Sequence, residues 1–178
     1  MNALHLRGVL LYEEARMLDT EYYMRAAMAL AARAASLGEV PVGAVIVKKS
    51  TGEIVGEGYN RRELDRHALA HAEIMAIDAA CKTLGGWRLP DCALFVTLEP
   101  CPMCSGAILQ ARIDEVYYGA TDPKSGAVRS VQRMFDLPYN WQPEVIPGVL
   151  GGECSAQLTA FFRELRERKR AAKQNTDS

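Results

Sequence analysis

The sequence predicts an α/β domain built from layers of helices around a mixed sheet of about five strands. Three observations carry this prediction. Apolar residues recur at helical spacing in residues 20–36, and a hairpin pattern occupies residues 42–59. Two apolar strands, 92–98 and 115–120, are then separated by a short helical stretch. Strands joined through helices need crossover connections, which make part of a sheet parallel.

The helices are predicted from their apolar periodicity and from the residues at their ends. Thr20 is expected to cap the first helix, which ends near Ser36. A second helix is expected from His71 to about Thr83, before Gly85, a residue type that adopts the left-handed conformation past helix ends. The remaining helices are predicted at Pro102 to about Ala111, near residues 128–136, and from Ser155 to about Lys173.

The strands are predicted from short runs rich in apolar and β-branched residues. The first two flank a polar turn and therefore form a hairpin. The third, CALFVTL, is almost continuously apolar, which is typical of a strand buried on both faces. The five predicted strands are 42–47, 53–59, 92–98, 115–120 and 143–146.

Length and composition limit the possible classes of protein. A chain of 178 residues corresponds to one domain, and we expect a poorly structured extension over residues 1–19, the folded domain over 20–173 and a short tail over 174–178. The net charge of −1 means that any contact with nucleic acid needs a local basic patch. No apolar run approaches the roughly 20 residues of a membrane span, so we expect a soluble protein. Five cysteines without a secretory segment favour a reducing, cytoplasmic compartment.

The stretch TLEPCPMC, residues 97–104, contains two thiols at helical spacing. Cys101 and Cys104 lie at the start of a predicted helix, on one face, where the positive end of the helix favours the thiolate form. Such a pair is compatible with a redox couple, with half of a structural zinc site, or with part of a catalytic zinc site. The other cysteines, which we interpret as small buried apolar side chains, are Cys81, Cys92 and Cys154.

A third metal ligand is available at the start of another predicted helix. A histidine at a helix start, such as His71, is usually a surface or capping residue. Glu73 follows two residues later and could simply complement the helix dipole, or it could take a proton from a metal-activated water. If His71, Cys101 and Cys104 bind one ion, a fourth position stays open for water, which is the arrangement of a catalytic zinc site.

The pattern H-x-E … P-C-x-x-C, formed by residues 71–73 and 100–104, resembles the signature of zinc-dependent nucleobase deaminases. From about residue 21 to residue 173 the sequence also resembles the bacterial tRNA-specific adenosine deaminases, which convert the wobble adenosine of an anticodon to inosine. The matching stretches are GEVPVGAVIV (38–47), GEGYNRRE (56–63), AHAEIMAI (70–77), GGWRL (85–89), LFVTLEPCPMCSGAI (94–108), YGATDPKSGA (118–127) and LTAFFRELRERKR (158–170).

This resemblance implies a fold, a reaction and a set of residues. The implied fold is a three-layer α/β/α cytidine-deaminase-like domain, and the implied reaction is hydrolytic deamination of adenosine at position 34 of tRNA, with release of ammonia. One Zn²⁺ per subunit would be held by His71, Cys101 and Cys104, with Glu73 as the catalytic proton carrier. The implied protein is a cytoplasmic homodimer that binds the tRNA anticodon loop. The residues that match substrate-binding positions are Asn60, Ala72, Asp122, Lys124 and Phe162.

Several of these residues also have a simpler interpretation. Asn60 could be a turn residue after its strand, and His67, which has no family role, is interpreted as a loop residue that could touch RNA rather than as a second ligand. Residues 163–173 hold six basic and two acidic side chains, which could contact phosphates or form a solvated helix with i,i+4 pairs. Phe161 and Phe162 point in different directions on a helix, so one is expected in the core while the other could stack on an unpaired base.

Two other functions use the same residues. A deaminase of a free base or nucleoside, of the guanine or cytosine type, would share the zinc site. A non-catalytic, zinc-stabilised RNA-binding module would share the metal and the basic helix. The basic C-terminal helix favours tRNA over a free base, and Glu73 beside an open zinc position favours catalysis over binding alone.

Overall fold

The computed structural model describes residues 18–176. Residues 1–17 of the predicted extension and residues 177–178 of the predicted tail lie outside this part. In chain order the elements are α1 Thr20–Ser36, β1 Gly43–Lys48, β2 Glu53–Tyr59, α2 Arg62–Asp65, α3 Ala72–Leu84, β3 Cys92–Leu98, α4 Pro102–Ala111, β4 Glu115–Ala120, a 3-10 turn Met134–Asp136, β5 Glu144–Pro147 and α5 Gly151–Thr176. No helix within residues 18–176 is both long and apolar enough to cross a membrane.

The five strands form one mixed sheet in the order β2-β1-β3-β4-β5. Strand β1 runs antiparallel to β2 and β3, whereas β3, β4 and β5 are parallel. The predicted hairpin and the predicted parallel crossovers are therefore confirmed. Because β1 is antiparallel to its neighbours, the start of β1 meets the ends of β2, β3 and β4 at one edge of the sheet.

Helices cover both faces of the sheet, as expected for three layers. Alternate strand residues point to opposite faces, and the two sets pack against different helices. The set facing α3 and α4 includes Ala44, Ile46, Leu94, Val96 and Val116. The set facing α1 and α5 includes Val45, Val47, Ala93 and Phe95. Strand β3 is buried on both faces, as its apolar run predicts.

Helix α3 lies directly on β2 because two strand positions lack a side chain. A Cβ at Gly56 or Gly58 would overlap the backbone carbonyl oxygen of Ala76 or Ala72, respectively. The glycines thus allow close approach of helix and strand. This contact places the first turn of α3 at the edge of the sheet where β2 ends.

Residues 128–136, predicted as a helix, contain only the 3-10 turn Met134–Asp136. The backbone N–H groups of Val128, Arg129 and Ser130 donate to the side chain of Glu99 instead of beginning a helix. A tertiary contact therefore overrides the local signal there.

Two smaller differences concern helix ends, and a third is an additional helix. Asp19, rather than Thr20, caps α1, since its carboxylate accepts the Tyr22 N–H at 3.0 Å. The last helix begins at Gly151, earlier than the predicted Ser155, and the four-residue α2 was not predicted.

Candidate metal centre and active-site cleft

Two helix N-termini meet at the edge of the sheet described above. His71 is the residue before α3 and Cys101 is the residue before α4, both with extended backbone conformations. Neither side chain caps its own helix. Cys104 lies in the first turn of α4 and is fully buried. The three predicted ligands therefore come together although 30 residues of chain separate His71 from Cys101.

The distances among these side chains fit a tetrahedral metal ion. The Nδ1 atom of His71 lies 3.7 Å from the Cys101 sulfur and 3.5 Å from the Cys104 sulfur. All three potential ligand atoms lie within 4.8 Å of one another. Ordinary zinc bond lengths and a tetrahedral angle require a nitrogen–sulfur separation of about 3.6 Å. Both nitrogen–sulfur separations therefore match those of a tetrahedral zinc site.

The pKa of the Cys101 thiol also favours the binding of a cation. Contact with Cys104 lowers the pKa of Cys101 to about 4, with a further contribution from His71, although burial opposes the shift. The pKa of Cys104 is raised, chiefly by the same contact and by burial, because the two sulfurs hold one proton between them. A metal ion that binds here displaces that proton.

Glu73 is a buried carboxyl group beside the ligands. Only 4% of it is exposed, so it is not a surface residue that merely complements the helix dipole. Burial raises its pKa to about 7, and the negative charge of Cys101 adds to the shift, while His71 acts in the opposite direction. A carboxyl group with such a pKa can accept and release a proton near neutral pH.

His71, Cys101 and Glu73 line one open cleft of about 140 Å³, whereas Cys104 is fully buried. Apolar walls come from Val40, Val42 and Leu98, and polar groups come from Asn60, Arg62, Glu99, Asp122 and Ser125. The combination of apolar walls with a few convergent polar groups is typical of a small-molecule or nucleobase site.

Asn60 links the end of β2 to the start of α3. It is 8% exposed, and its Oδ1 accepts the backbone N–H of Ala72 at 3.1 Å. This bond fixes the orientation of the amide, which leaves the Nδ2 amino group as the donor available to the cleft. Ala72 itself is fully buried, and its N–H is used by Asn60.

The other predicted substrate-binding residues divide between two places. Asp122 lines the cleft, and its carboxylate accepts the N–H groups of Lys124 and Ser125. Lys124 lies instead in a shallower groove of about 340 Å³, which it shares with Phe162 and Arg166 of α5. Phe162 is 39% exposed.

The burial of the other residues singled out in the sequence distinguishes between their possible roles. Phe161 is partly buried, in contrast to its exposed neighbour. His67 is an exposed loop residue outside the ligand cluster. Cys92 and Cys154 are buried, and burial raises the pKa of each to about 11, so they are the inert apolar thiols expected, whereas Cys81 is only partly buried.

Arg62 was not identified from the sequence although it lines the cleft. Within residues 18–176 its guanidinium has neither an ion pair nor a hydrogen bond, whereas Arg61 is paired with Asp65 at 2.8 and 2.9 Å. The buried Glu39 accepts the Leu64 N–H at 2.7 Å and so ties α2, which begins with Arg62, to the segment before β1. The basic run NRRE was visible in the sequence, but nothing in it distinguishes the paired arginine from the unpaired one.

Known proteins are similar to this chain in sequence and in architecture. A family model described as the cytidine and deoxycytidylate deaminase zinc-binding region matches residues 17–120. A tRNA-specific adenosine deaminase of Bacillus subtilis (strain 168) is 48% identical over 160 residues, which cover 89% of this chain and 98% of the relative.

Two solved structures extend the comparison. A structure from work on A-to-I editing by tRNA:A34 deaminases at the wobble position has a TM-score of 0.74 and 43% identity, covering 77% of this chain and 99% of its own. A guanine deaminase of Bacillus subtilis has a TM-score of 0.54 and 35% identity, covering 83% of this chain and 93% of its own. These likenesses confirm the predicted cytidine-deaminase-like fold.

Proposed function

The chain belongs to the tRNA-specific adenosine deaminases, and from this membership we propose that it hydrolyses the wobble adenosine (position 34) of a tRNA anticodon to inosine, releasing ammonia. The observation that carries the proposal is the meeting of a His-Cys-Cys ligand set with the buried Glu73 in one cleft. A redox thiol pair or a closed structural zinc site would have no use for that carboxyl group.

Each residue of the centre has a distinct role in this proposal. His71, Cys101 and Cys104 would hold the zinc ion, which when bound would supply a Lewis acid that makes the attacking water more acidic. Glu73 accepts a proton from the water that attacks C6 of adenine and passes it to the ring nitrogen N1. It then takes the hydroxyl proton from C6 and passes it to the amino group, which leaves as ammonia. The proton count balances with one carboxyl group in both steps.

The cleft supplies groups that hold the nucleotide. Asn60 offers its Nδ2 amino group, because its oxygen is already used by Ala72. Arg62 offers a guanidinium that makes no ion pair within the described part of the chain, and a phosphate group is its natural ligand. Asp122 borders the same cleft and has acceptor capacity beyond the bonds to its own loop.

A groove beside the cleft offers a surface for the flanking nucleotides. Lys124, Phe162 and Arg166 line it together, so two basic side chains share the groove with an exposed ring. This combination suits an unpaired base and its phosphate in a single-stranded loop. Bases in such a loop are already partly unstacked, which lowers the free energy needed to flip one into the cleft. On α5 the predicted i,i+4 pairing is found between Glu164 and Arg168 at 3.6 Å.

We also propose that the protein works in the cytoplasm as a homodimer. The support for the dimer is the family resemblance. Helix α4 has apolar residues at helical spacing, but these give no additional support for a dimer, because Ile108 and Ala111 are buried in the core of this chain and Ala107 is partly buried.

The test is inosine formation by zinc-loaded protein on an anticodon stem-loop with adenosine at the wobble position. Free adenosine, cytosine and guanine are run in parallel, and Glu73→Ala is the control. Inosine in the stem-loop alone, lost in the variant, is the expected result. Turnover of a free base with no reaction on the stem-loop would keep the zinc chemistry and reject the tRNA substrate. Stem-loop binding without any turnover would indicate an RNA-binding module.

A further inference from the structure

Glu99 is a buried carboxylate that receives hydrogen bonds from one long loop. It is 2% exposed. Its Oε1 accepts the N–H groups of Val128, Arg129 and Ser130 at 3.2, 2.7 and 2.9 Å. Its Oε2 accepts the N–H of Asp122 at 3.1 Å and also the hydroxyl of Ser130. Five donors from the loop therefore converge on one side chain.

These donors take the place of a cation. A buried carboxylate is costly unless it is paired or fully hydrogen-bonded, and within residues 18–176 Glu99 forms no salt bridge. The loop in turn lacks regular structure from residue 121 to residue 133, so the carboxylate satisfies amides that a helix would otherwise pair. The loop also closes tightly around the group, since a Cβ at Gly126 would overlap the Glu99 carboxyl.

Glu99 joins two segments that line the cleft, namely the segment that leads to Cys101 and the loop that follows β4. It follows the last residue of β3 and lies two residues before Cys101. The loop that it holds carries Asp122 and Ser125, which line the same cleft as His71 and Cys101. A backbone bond from Ala127 to the carbonyl of Pro100, at 2.9 Å, fixes the loop beside the same residues.

We propose that Glu99 is a positioning residue that fixes the cleft wall of residues 122–126 relative to the metal ligands. This inference rests on the proposed function. Although Glu99 borders the cleft, it is 2% exposed and both of its oxygens are bonded to the loop, so it would act on the nucleotide through the wall that it fixes. Its effect should therefore fall on substrate binding and not on the chemical step.

Two substitutions separate this role from a general effect on stability. In Glu99→Gln the amide oxygen can still accept the three N–H groups of residues 128–130, and the hydroxyl of Ser130 can turn to accept from the new amino group. The Asp122 N–H, however, then faces a donor. Ser130→Ala also removes one bond to Glu99 but leaves the Asp122 bond in place. Only the first change disturbs the wall of the cleft.

The experiment measures kcat and KM on the anticodon stem-loop, zinc content, and amide hydrogen exchange in both variants and in the unchanged protein. We expect Glu99→Gln to keep one zinc per chain and to raise KM roughly tenfold while kcat changes less than about threefold. Exchange should become faster at residues 122–126. Ser130→Ala should stay within about twofold of the unchanged protein in KM, with slow exchange retained at these residues.

Three results would overturn the inference: an unchanged KM in Glu99→Gln, equal effects in the two variants, or loss of zinc from Glu99→Gln, which would place its role at Cys101. If the unchanged protein does not deaminate the stem-loop, the proposed function fails, and the exchange comparison still decides whether Glu99 fixes the wall. If Glu99→Gln does not fold, Gly126→Ala is measured instead, because its added Cβ would overlap the Glu99 carboxyl group and displace the loop. An unchanged KM in that variant would also reject the positioning role.

Discussion

Two substitutions at Asn60 separate the two tasks of its side-chain amide. The oxygen accepts the N–H of Ala72 at 3.1 Å, and in the proposed function the amino group donates to the substrate. In Asn60→Asp an oxygen still accepts from Ala72, and a carboxylate at a helix N-terminus is electrostatically favourable. The donor to the substrate is lost. In Asn60→Ala both are lost.

The expected losses of stability and activity can be estimated from the groups that lose a hydrogen-bond partner. Ala72 is fully buried, so an unsatisfied N–H there costs about 1–2 kcal/mol in the free energy of unfolding. That corresponds to a fall in Tm of roughly 3–6 °C for a chain of this size. A lost donor that is replaced by a charged acceptor costs about 2–3 kcal/mol of transition-state stabilisation, which is roughly 30- to 150-fold in kcat/KM.

The assay pairs thermal unfolding of the zinc-loaded variants with kcat/KM on the stem-loop. Asn60→Asp should unfold within about 2 °C of the unchanged protein and lose activity, whereas Asn60→Ala should lose both stability and activity. If Asn60→Asp keeps its activity, the amino group does not contact the substrate. If both variants unfold at the same temperature, the bond to Ala72 does not stabilise the start of α3.

Three further predictions concern the proton carrier Glu73, the cleft residue Arg62 and the packing of α3 on Gly58. Glu73→Gln should lower kcat by about 10²–10⁴-fold while zinc content, measured by elemental analysis, stays at one per chain; loss of zinc would instead show that Glu73 supports the metal site. Arg62→Gln should raise KM several-fold. It should also reduce the slope of log binding constant against log salt concentration by about 0.7, which corresponds to one phosphate contact with a single strand. Arg66→Gln, at an exposed position, is the matched control, and equal effects in the two variants would refute a specific phosphate contact. Gly58→Ala should cost about 1–3 kcal/mol in chemical denaturation because its Cβ overlaps a carbonyl oxygen of α3. Gly106→Ala on α4 is the control, because its added Cβ would have no neighbour within 4 Å, and it should raise stability by up to about 1 kcal/mol. An unchanged stability in Gly58→Ala would show that α3 can move away from β2.

Local patterns predicted most elements because burial and periodicity agree in them. The apolar run of β3 identified a strand buried on both faces, and the stripe of α1 identified its helix. Residues 128–136 were predicted wrongly because their backbone donors bond to Glu99, a residue about thirty positions earlier in the chain. No local window contains that contact.

The candidate site was predictable only as a set of residue types. The spacing of Cys101 and Cys104, with His71 at another helix start, indicated a metal site before any distance was known. The sequence could not indicate that Glu73 is buried, since a glutamate in the first turn of a helix is usually exposed. It also could not single out Arg62, because only the folded chain shows that Arg61 pairs with Asp65 while Arg62 has no partner among residues 18–176.

The sequence by itself determined most of the helices and strands, the three candidate metal ligands and the resemblance to a deaminase family, because each depends on residue type and spacing along the chain. The tertiary structure alone decided the properties that depend on neighbours from distant segments. It set the pKa of Glu73 through burial, the orientation of the Asn60 amide through Ala72, and the course of the 121–133 loop through Glu99. Desolvation and hydrogen bonding act through space, and only the folded chain specifies which groups they join.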